Sequence, residues 1–87
     1  MHAVVIPVTF NDRSAAEGEL PGLVSQVSAM PGFVSGYWVA LSEDKGMAMV
    51  MFDSEGSAQG LVEMVKSGPD GSVSTGKIEV AEVMAHA

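Results

Sequence analysis

Two aromatic residues stand side by side in the stretch MPGFVSGYWVAL, residues 30–41, and they are the chain's only Tyr and only Trp. If this stretch is a strand, Tyr37 and Trp38 point to opposite faces of a sheet. An aromatic side chain on a strand commonly packs in a core or an interface. Alternatively, one of the two lines a pocket, stacks on a flat molecule and offers its N–H or O–H as a polar anchor. Gly36 shares the face of Trp38 and leaves space beside the indole ring.

Asn11 is the chain's only Asn and ends the first predicted strand. Asn is preferred at the start of a helix, where its side-chain oxygen accepts a hydrogen bond from a free backbone N–H. At the mouth of a pocket, the same side chain would bond to a substrate oxygen instead. Both interpretations stay open from the sequence. The candidate substrate-binding residues are therefore Trp38, Tyr37 and Asn11, and no residue is identified as catalytic.

The two histidines, His2 and His86, lie near the two ends of the chain. Pairing of the first strand with the last would bring them to the same end of a sheet. Two His side chains make half a metal site or a general base. The nearest acid on the last strand, Glu82, shares a face with His86 but lies about 13 Å away along a strand. We therefore expect the two histidines to be near each other without holding a metal.

The segment from Gly71 to Lys77, GSVSTGK, fits the phosphate-loop pattern G-x-x-x-x-G-K. That chemistry also needs Ser or Thr after the Lys and a helix whose N-terminus faces the phosphate. Ile78 follows instead, and the next predicted element is a strand. Ser74 and Lys77 have the spacing of a Ser-x-x-Lys nucleophile motif, which also needs a helix. We reject both motifs and expect a flexible connection or a lid here.

The composition excludes several classes of protein. Eleven acidic residues against four basic ones give a net charge of -7, and the basic residues are scattered. Nucleic acids and anionic membranes are therefore not expected as partners. The absence of Cys excludes disulfides and thiol chemistry. No stretch has the 18 or so apolar residues of a membrane span, and the first residues do not resemble a signal peptide. We expect a cytoplasmic protein.

The hydrophobic pattern predicts six elements in the order βαββαβ. Their ranges are 2–10 (strand), 14–30 (helix), 33–42 (strand), 47–52 (strand), 54–67 (helix) and 77–84 (strand). Pro7 suggests an edge or a bulge in the first strand, and Pro21 predicts a break or kink near Leu20. Residues 43–46 form a turn and residues 67–76 a loop. This order is typical of one ferredoxin-like α+β domain over residues 1–87, with a four-stranded antiparallel sheet and two helices on one face.

Apolar residues occupy both faces of the predicted strands, although two helices cover only one face. The strand 47–52 has no charged residue, and Met47, Met49 and Met51 share one of its faces. Methionine adapts to irregular surroundings, so this stripe suits a core, a subunit interface or a pocket wall. A soluble monomer rarely leaves such a face in contact with water. We therefore expect a homodimer in which two sheets pack face to face.

The block Met30-Pro31-Gly32-Phe33, a Trp five residues later, a short hairpin, and Phe52-Asp53-Ser54-Glu55 at the start of a helix resemble the antibiotic-biosynthesis monooxygenase-like proteins. The resemblance covers nearly the whole chain in element order. It implies a dimeric α+β barrel. Some members of that family oxygenate phenolic polycyclic or quinol substrates with no metal or flavin, and others degrade haem with an Asn, a Trp and a helix-borne His. The second predicted helix contains no His, so haem turnover is not expected.

Two functions follow as hypotheses. The first is a cofactor-independent monooxygenase acting on a flat hydrophobic small molecule, phenolic or quinol-like, with no cofactor and no metal. The second is a non-catalytic ligand-binding or protein-interaction module of the same fold. A cavity with at least two convergent polar groups favours the first hypothesis, and a filled cavity favours the second.

Overall fold

The structure is a computed structural model, and it describes residues 1–68 and 71–87. The elements are β1 (His2–Phe10), α1 (Arg13–Ser28), β2 (Phe33–Ala40), β3 (Lys45–Phe52), α2 (Glu55–Ser67), β4 (Val73–Thr75) and β5 (Glu79–Glu82). The strands form one antiparallel sheet in the order β2-β3-β1-β4, and β5 also pairs with β1. The predicted ferredoxin-like α+β fold is confirmed. No helix of the described ranges is long and apolar enough to cross a membrane.

The sheet has five strands rather than four because the expected last strand is divided. β4 lies inside the segment that was predicted to be a loop, of which residues 69 and 70 are outside the described residues. Between the pairs Val5–Glu79 and Val8–Thr75, two residues of β1 face three residues of the opposite chain, numbers 76–78. That extra residue is a bulge, and it separates β4 from β5.

Pro7 explains the position of this bulge. Its carbonyl oxygen accepts a hydrogen bond from the backbone N–H of Gly76 at 2.7 Å. In an antiparallel pair, the N–H and C=O of a residue point to the same side. The N–H that Pro7 lacks would therefore face the bulge, where the ladder is already interrupted. A bulge therefore lies opposite Pro7, but its extra residue is in the segment between β4 and β5 and not, as was expected, in the first strand. Pro7 itself lies in a central strand and not at an edge.

The predicted break in the first helix is absent, because α1 continues through Pro21 as one helix of 16 residues. Pro21 removes one hydrogen bond, the one that its N–H would have made to the carbonyl of Glu17. Both residues are exposed. Water can therefore bond to the freed carbonyl, and the loss does not break the helix. The helix begins at Asp12, whose side chain accepts a hydrogen bond from Ala15 N.

The core lies between one face of the sheet and the helices. Even-numbered residues of β1 and β3 point into it, and they meet the buried face of α2 and one residue of α1. The buried members are Val4, Ile6, Val27, Ala48, Val50, Phe52, Ala58, Leu61 and Val62. Full burial of a large apolar side chain stabilises a fold by about 1.5–3 kcal/mol. Three of the nine come from α2 and only Val27 from α1, so the two helices contribute very unequally.

The turn before β2 packs directly on the turn after β3. The backbone N–H of Asp53 donates to the carbonyl of Gly32 at 2.9 Å. The rings of Phe33 and Phe52 meet edge to face, with centroids 6.3 Å apart. Ser54 caps α2 by accepting from Ser57 N. The two sequence blocks that suggested the family resemblance are therefore two halves of one junction.

The opposite face of the sheet, which we call the helix-free face, has no helix over it. Its three central rows contain no charged side chain. From β1 through β3 to β2, these rows are Ala3–Met51–Ser35, Val5–Met49–Tyr37 and Pro7–Met47–Val39. Tyr37, Val39 and Met49 are exposed on it. An apolar surface that extends over three strands is typical of an interaction site.

We predict that Gly32→Ala destabilises the protein by at least about 2 kcal/mol, because the position combines a left-handed backbone with a steric overlap. Gly32 has φ +82, and an added Cβ would lie 2.5 Å from both Asp53 Oδ1 and Ser57 Oγ. Urea unfolding followed by circular dichroism measures the change. Gly56→Ala is the matched control, because its Cβ would meet nothing within 4 Å. Equal midpoints for the two variants would contradict this account of the junction.

Candidate functional site

An apolar groove of about 820 Å³ lies between the sheet and the two helices. Its floor is the core face of the sheet, and its walls come from α1, α2 and β4. The side chains that define it are Ile6, Val8, Phe10, Ala16, Leu20, Leu23, Trp38, Ala48, Val50, Leu61, Met64, Val65 and Val73. Ligand sites commonly occupy about 300–1,000 Å³ and are mostly apolar. The groove has the size and character of a small-molecule site.

The groove exists because α1 packs loosely. Ala16, Leu20, Leu23, Val24 and Val27 recur at helical spacing along α1, but only Val27, near the C-terminal end of the helix, is buried. Ala16, Leu20 and Leu23 line the groove instead. Leu23 is 39% exposed. The N-terminal part of α1 therefore forms a wall of the groove and leaves the space beneath it unfilled.

Trp38 points into the groove. It pairs with Ala48, so it lies on the core face of the sheet, and it packs partly against the buried cluster. The space that Gly36 was expected to leave is occupied by Trp38 itself, because a Cβ on Gly36 would lie 2.9 Å from two atoms of the indole six-membered ring. Gly36 thus lets the indole lie flat along the strand, where it faces the groove.

Tyr37 points the other way. It pairs with Met49 on the helix-free face and is 58% exposed. The strand alternation that separates adjacent side chains is therefore observed directly. Tyr37 is not among the residues that line the groove, and the two aromatic neighbours belong to two different surfaces.

Asn11 does not line the groove, but its side chain bonds to the segment that forms one of the walls. Its side-chain amide donates to the carbonyl of Gly71 at 3.2 Å and to Ser74 Oγ at 2.8 Å. Its backbone N–H donates to the carbonyl of Ser72 at 2.8 Å. The helix cap is Asp12, not Asn11. Of the three candidate binding residues, the structure brings only Trp38 to the groove.

Three charged residues of α1 also line the groove, namely Arg13, Glu17 and Glu19. Sequence reasoning did not single them out. Arg13 and Glu17 stand at i and i+4, and their positions follow the apolar stripe of α1 along one side. This i,i+4 spacing was the sequence signal that could have identified them, but the same spacing is typical of any exposed helix. The hydroxyl groups of Ser72 and Thr75 add polar groups from the β4 side.

The histidines lie elsewhere. His2 Nε2 is 3.6 Å from Glu55 Oε2, and neither His2 nor His86 lines the groove. Within residues 1–68 and 71–87, no three His, Asp or Glu side chains are grouped closely enough to hold a metal ion. The segment that resembled a phosphate loop forms β4 and the bulge, and β5 follows it instead of a helix.

Comparison with known proteins gives a match in structure but not in sequence. No family model and no curated protein matches the chain. NE2512, a protein of unknown function from Nitrosomonas europaea, has a TM-score of 0.72 at 15% identity, over 99% of this chain and 91% of that one. A MhuD variant with two manganese protoporphyrin IX per active site has 0.67 at 12% identity, over 100% and 98%. MhuD is the heme-degrader of Mycobacterium tuberculosis.

A further similar structure is the ActVA-Orf6 monooxygenase of Streptomyces coelicolor in complex with nanaomycin D. Its TM-score is 0.60 at 16% identity, over 99% of this chain and 89% of that one. The sheet order and these matches define a ferredoxin-like α+β protein. More particularly, the chain has the fold of the antibiotic-biosynthesis monooxygenase-like proteins, so the predicted resemblance is confirmed for the fold.

We predict that Asn11→Asp destabilises the protein by about 1–3 kcal/mol, because both amide donors are lost and a carboxylate is placed against a carbonyl oxygen. Hydrogen exchange of residues 71–75 should accelerate more than exchange in α2. Ser14→Ala is the control, because Ser14 is exposed in the first turn of α1. If exchange rises equally throughout the protein, Asn11 has no specific effect on the wall of the groove.

Proposed function

We propose that this protein binds a flat, hydrophobic small molecule in the groove and oxygenates it without a metal or an organic cofactor. The observation that carries the proposal is the position of Trp38, whose indole ring faces an apolar groove of about 820 Å³. An indole ring gives a flat ligand a stacking surface and one N–H donor. Gln26, Ser72 and Thr75 also line the groove, and their polar side chains would orient a ligand.

The reaction class comes from the chemistry of such ligands and from the similar structures. A phenolic polycycle or a quinol is electron-rich enough to reduce oxygen itself, so the protein need only orient it and exclude water. Support comes from the ActVA-Orf6 monooxygenase, which holds nanaomycin D, and from MhuD, which holds porphyrins. Trp38 would contact the substrate. Asn11 would act indirectly, by holding residues 71–74 in place at one wall of the groove. Tyr37 would not contact a ligand in the groove, because it lies on the helix-free face.

Haem degradation is not part of the proposal. The groove is lined by no His from the described residues. A histidine is the side chain that the haem-degrading members of the resembled family carry on a helix, and His2 lies instead beside Glu55. A non-catalytic binding module remains the alternative, and the turnover measurement below separates it from the oxygenase.

We also propose a homodimer, formed by pairing the helix-free faces of two subunits. Three rows of uncharged side chains across β1, β3 and β2 support it. Tyr37, at 58% exposure, and Leu41, at 64%, are large residues that a second copy would cover. Glu79 lies opposite Val5 on the neighbouring strand, so charge returns at the margin of the face. An apolar centre with a polar margin is the usual arrangement of a subunit interface.

We predict that Trp38→Ala weakens ligand binding and turnover by about tenfold, the effect of losing roughly 1.4 kcal/mol of contact. Anthrone is a suitable probe. Oxygen converts it to anthraquinone and water, so one oxygen atom enters the ring system and the other leaves as water. Oxygen uptake and mass spectrometry of the product measure turnover. Met49→Ala, on the helix-free face, is the control and should retain binding. Binding without any turnover would favour the alternative module, and equal losses in both variants would remove Trp38 from the site.

We predict that the protein sediments at micromolar concentration with twice the chain mass of 9.0 kDa. Met49→Glu should give a monomer, because it buries a charge at the centre of the proposed interface. Gln59→Glu is the matched control, since Gln59 is exposed on α2, and it should remain a dimer. A wild-type monomer, or a dimer that survives Met49→Glu, would refute this interface.

A further inference from the structure

We infer that the groove selects uncharged or cationic ligands over anions, and that Glu17 and Glu19 determine this selection. The inference rests on the proposed function only in that the groove must bind a small molecule. It goes beyond that function by assigning the charge class of the ligand and two residues that set it. Neither residue belongs to the candidate set that the sequence indicated.

The charged groups of the groove are unbalanced. Among its described lining residues, two carboxylates stand against one guanidinium, and all three are on α1. Glu17 and Glu19 are exposed at the opening, while the floor is apolar. An apolar floor lowers the screening of a charge held above it, so a charged ligand is sensitive to these groups.

Arg13, the one basic side chain among the described lining residues, already has several partners. Arg13 Nε donates to Glu17 Oε1 at 3.1 Å, and Nη1 donates to the carbonyls of Ser42 at 3.2 Å and Glu43 at 3.1 Å. Its guanidinium carbon lies 5.1 Å from the centre of the Phe10 ring. These hydrogen bonds use Nε and Nη1, so an incoming carboxylate or sulfonate would meet a guanidinium whose charge Glu17 already partly offsets. Arg13 therefore ties α1 to the β2–β3 turn, and its ion pair with Glu17 weakens its attraction for an anion.

Glu19 is the carboxylate of the groove that Arg13 does not contact. Its Oε2 accepts a hydrogen bond from Ser72 Oγ at 3.2 Å, which places the carboxylate where α1 and the β4 segment approach each other. A hydroxyl donor orients a carboxylate but does not neutralise it. No ion pair joins Glu19 to a base of the described residues. Glu19 thus opposes an anion that enters from this side.

The N-terminus of α1 does not replace Arg13 as a site that attracts anions. Free backbone N–H groups at a helix N-terminus attract anions. Here Asp12 caps the helix, and its Oδ1 accepts from Ala15 N at 3.0 Å. The cap fills one donor and adds a further negative charge near the groove. The ligand class that fits is therefore a neutral phenol, quinol or quinone, or an aromatic amine, and not a ring system with carboxylates.

The test uses two probes that differ by one sulfonate. N-phenyl-1-naphthylamine is neutral, and 8-anilino-1-naphthalenesulfonate is the same ring system with a negative charge. Both are titrated into the protein by fluorescence, and competition between them shows that they share one site. The quantity compared is the ratio of their dissociation constants, first in the wild type and then in Glu19→Gln and in the double variant Glu17→Gln/Glu19→Gln. Glu63→Gln is the matched control, since Glu63 is exposed on α2 and does not line the groove.

We expect the neutral probe to bind the wild type at least about tenfold more tightly. In Glu19→Gln the ratio should fall by about threefold, and in the double variant further, with a change in anion affinity and little change in neutral affinity. Added salt should shrink the effect of the substitutions. Glu63→Gln should leave the ratio unchanged. If the ratio is the same in all variants while both probes bind, the charge selection is refuted and the groove stands as a site. If neither probe binds, both this inference and the proposed function fail.

Discussion

The pairing of β2 with β3 determines what each surface of this protein can do. Tyr37 lies opposite Met49 and Trp38 lies opposite Ala48, so the pairing decides which face of the sheet each side chain of β2 occupies. A shift of the register by one residue would exchange the faces, and Trp38 would leave the groove for the exposed surface. At one end of the pair the two chain turns meet, through the bond from Asp53 N to Gly32 O and the edge-to-face contact of Phe33 with Phe52. The register shifts between Phe33 and Ser35 and then runs regularly through Tyr37 and Trp38.

The unequal packing of the helices creates the groove and its electrostatic character together. α2 closes one side of the core with three buried residues, whereas α1 contributes only Val27. What remains under α1 is space bounded by apolar side chains and bordered by its charged residues. The anchors of α1 lie at its two ends: Arg13 bonds to the β2–β3 turn, and Val27 packs in the core. The middle of the helix lines the groove between these two anchors.

The sequence predicted the elements better than it predicted their roles. β1 has the expected bounds, and the paired order of strands and helices is as the periodicity indicated. β4 was hidden because Val73–Thr75 is three residues long among Gly and Ser, and only its pairing with β1 makes it a strand. The hydrophobic pattern predicted the helix α1, but such a pattern shows which residues share a face and not whether the space against that face is filled. Trp38 could be proposed from the sequence because its residue type is distinctive. Glu19 resembles any exposed acid of a helix, and only its contact with Ser72 reveals its position.

The single buried residue of α1 has a consequence for how a molecule enters. A segment with few buried contacts opens at a lower free energy than the fold as a whole. α1 also contains Gly18, Pro21 and Gly22, which are poor helix formers in a helix interior. Local opening of its N-terminal turns would break the bonds of Arg13 to the β2–β3 turn and of Ser72 to Glu19, and it would widen the groove while the sheet and α2 stay folded. Widening of the groove then depends on a local fluctuation of one helix and not on unfolding of the whole protein.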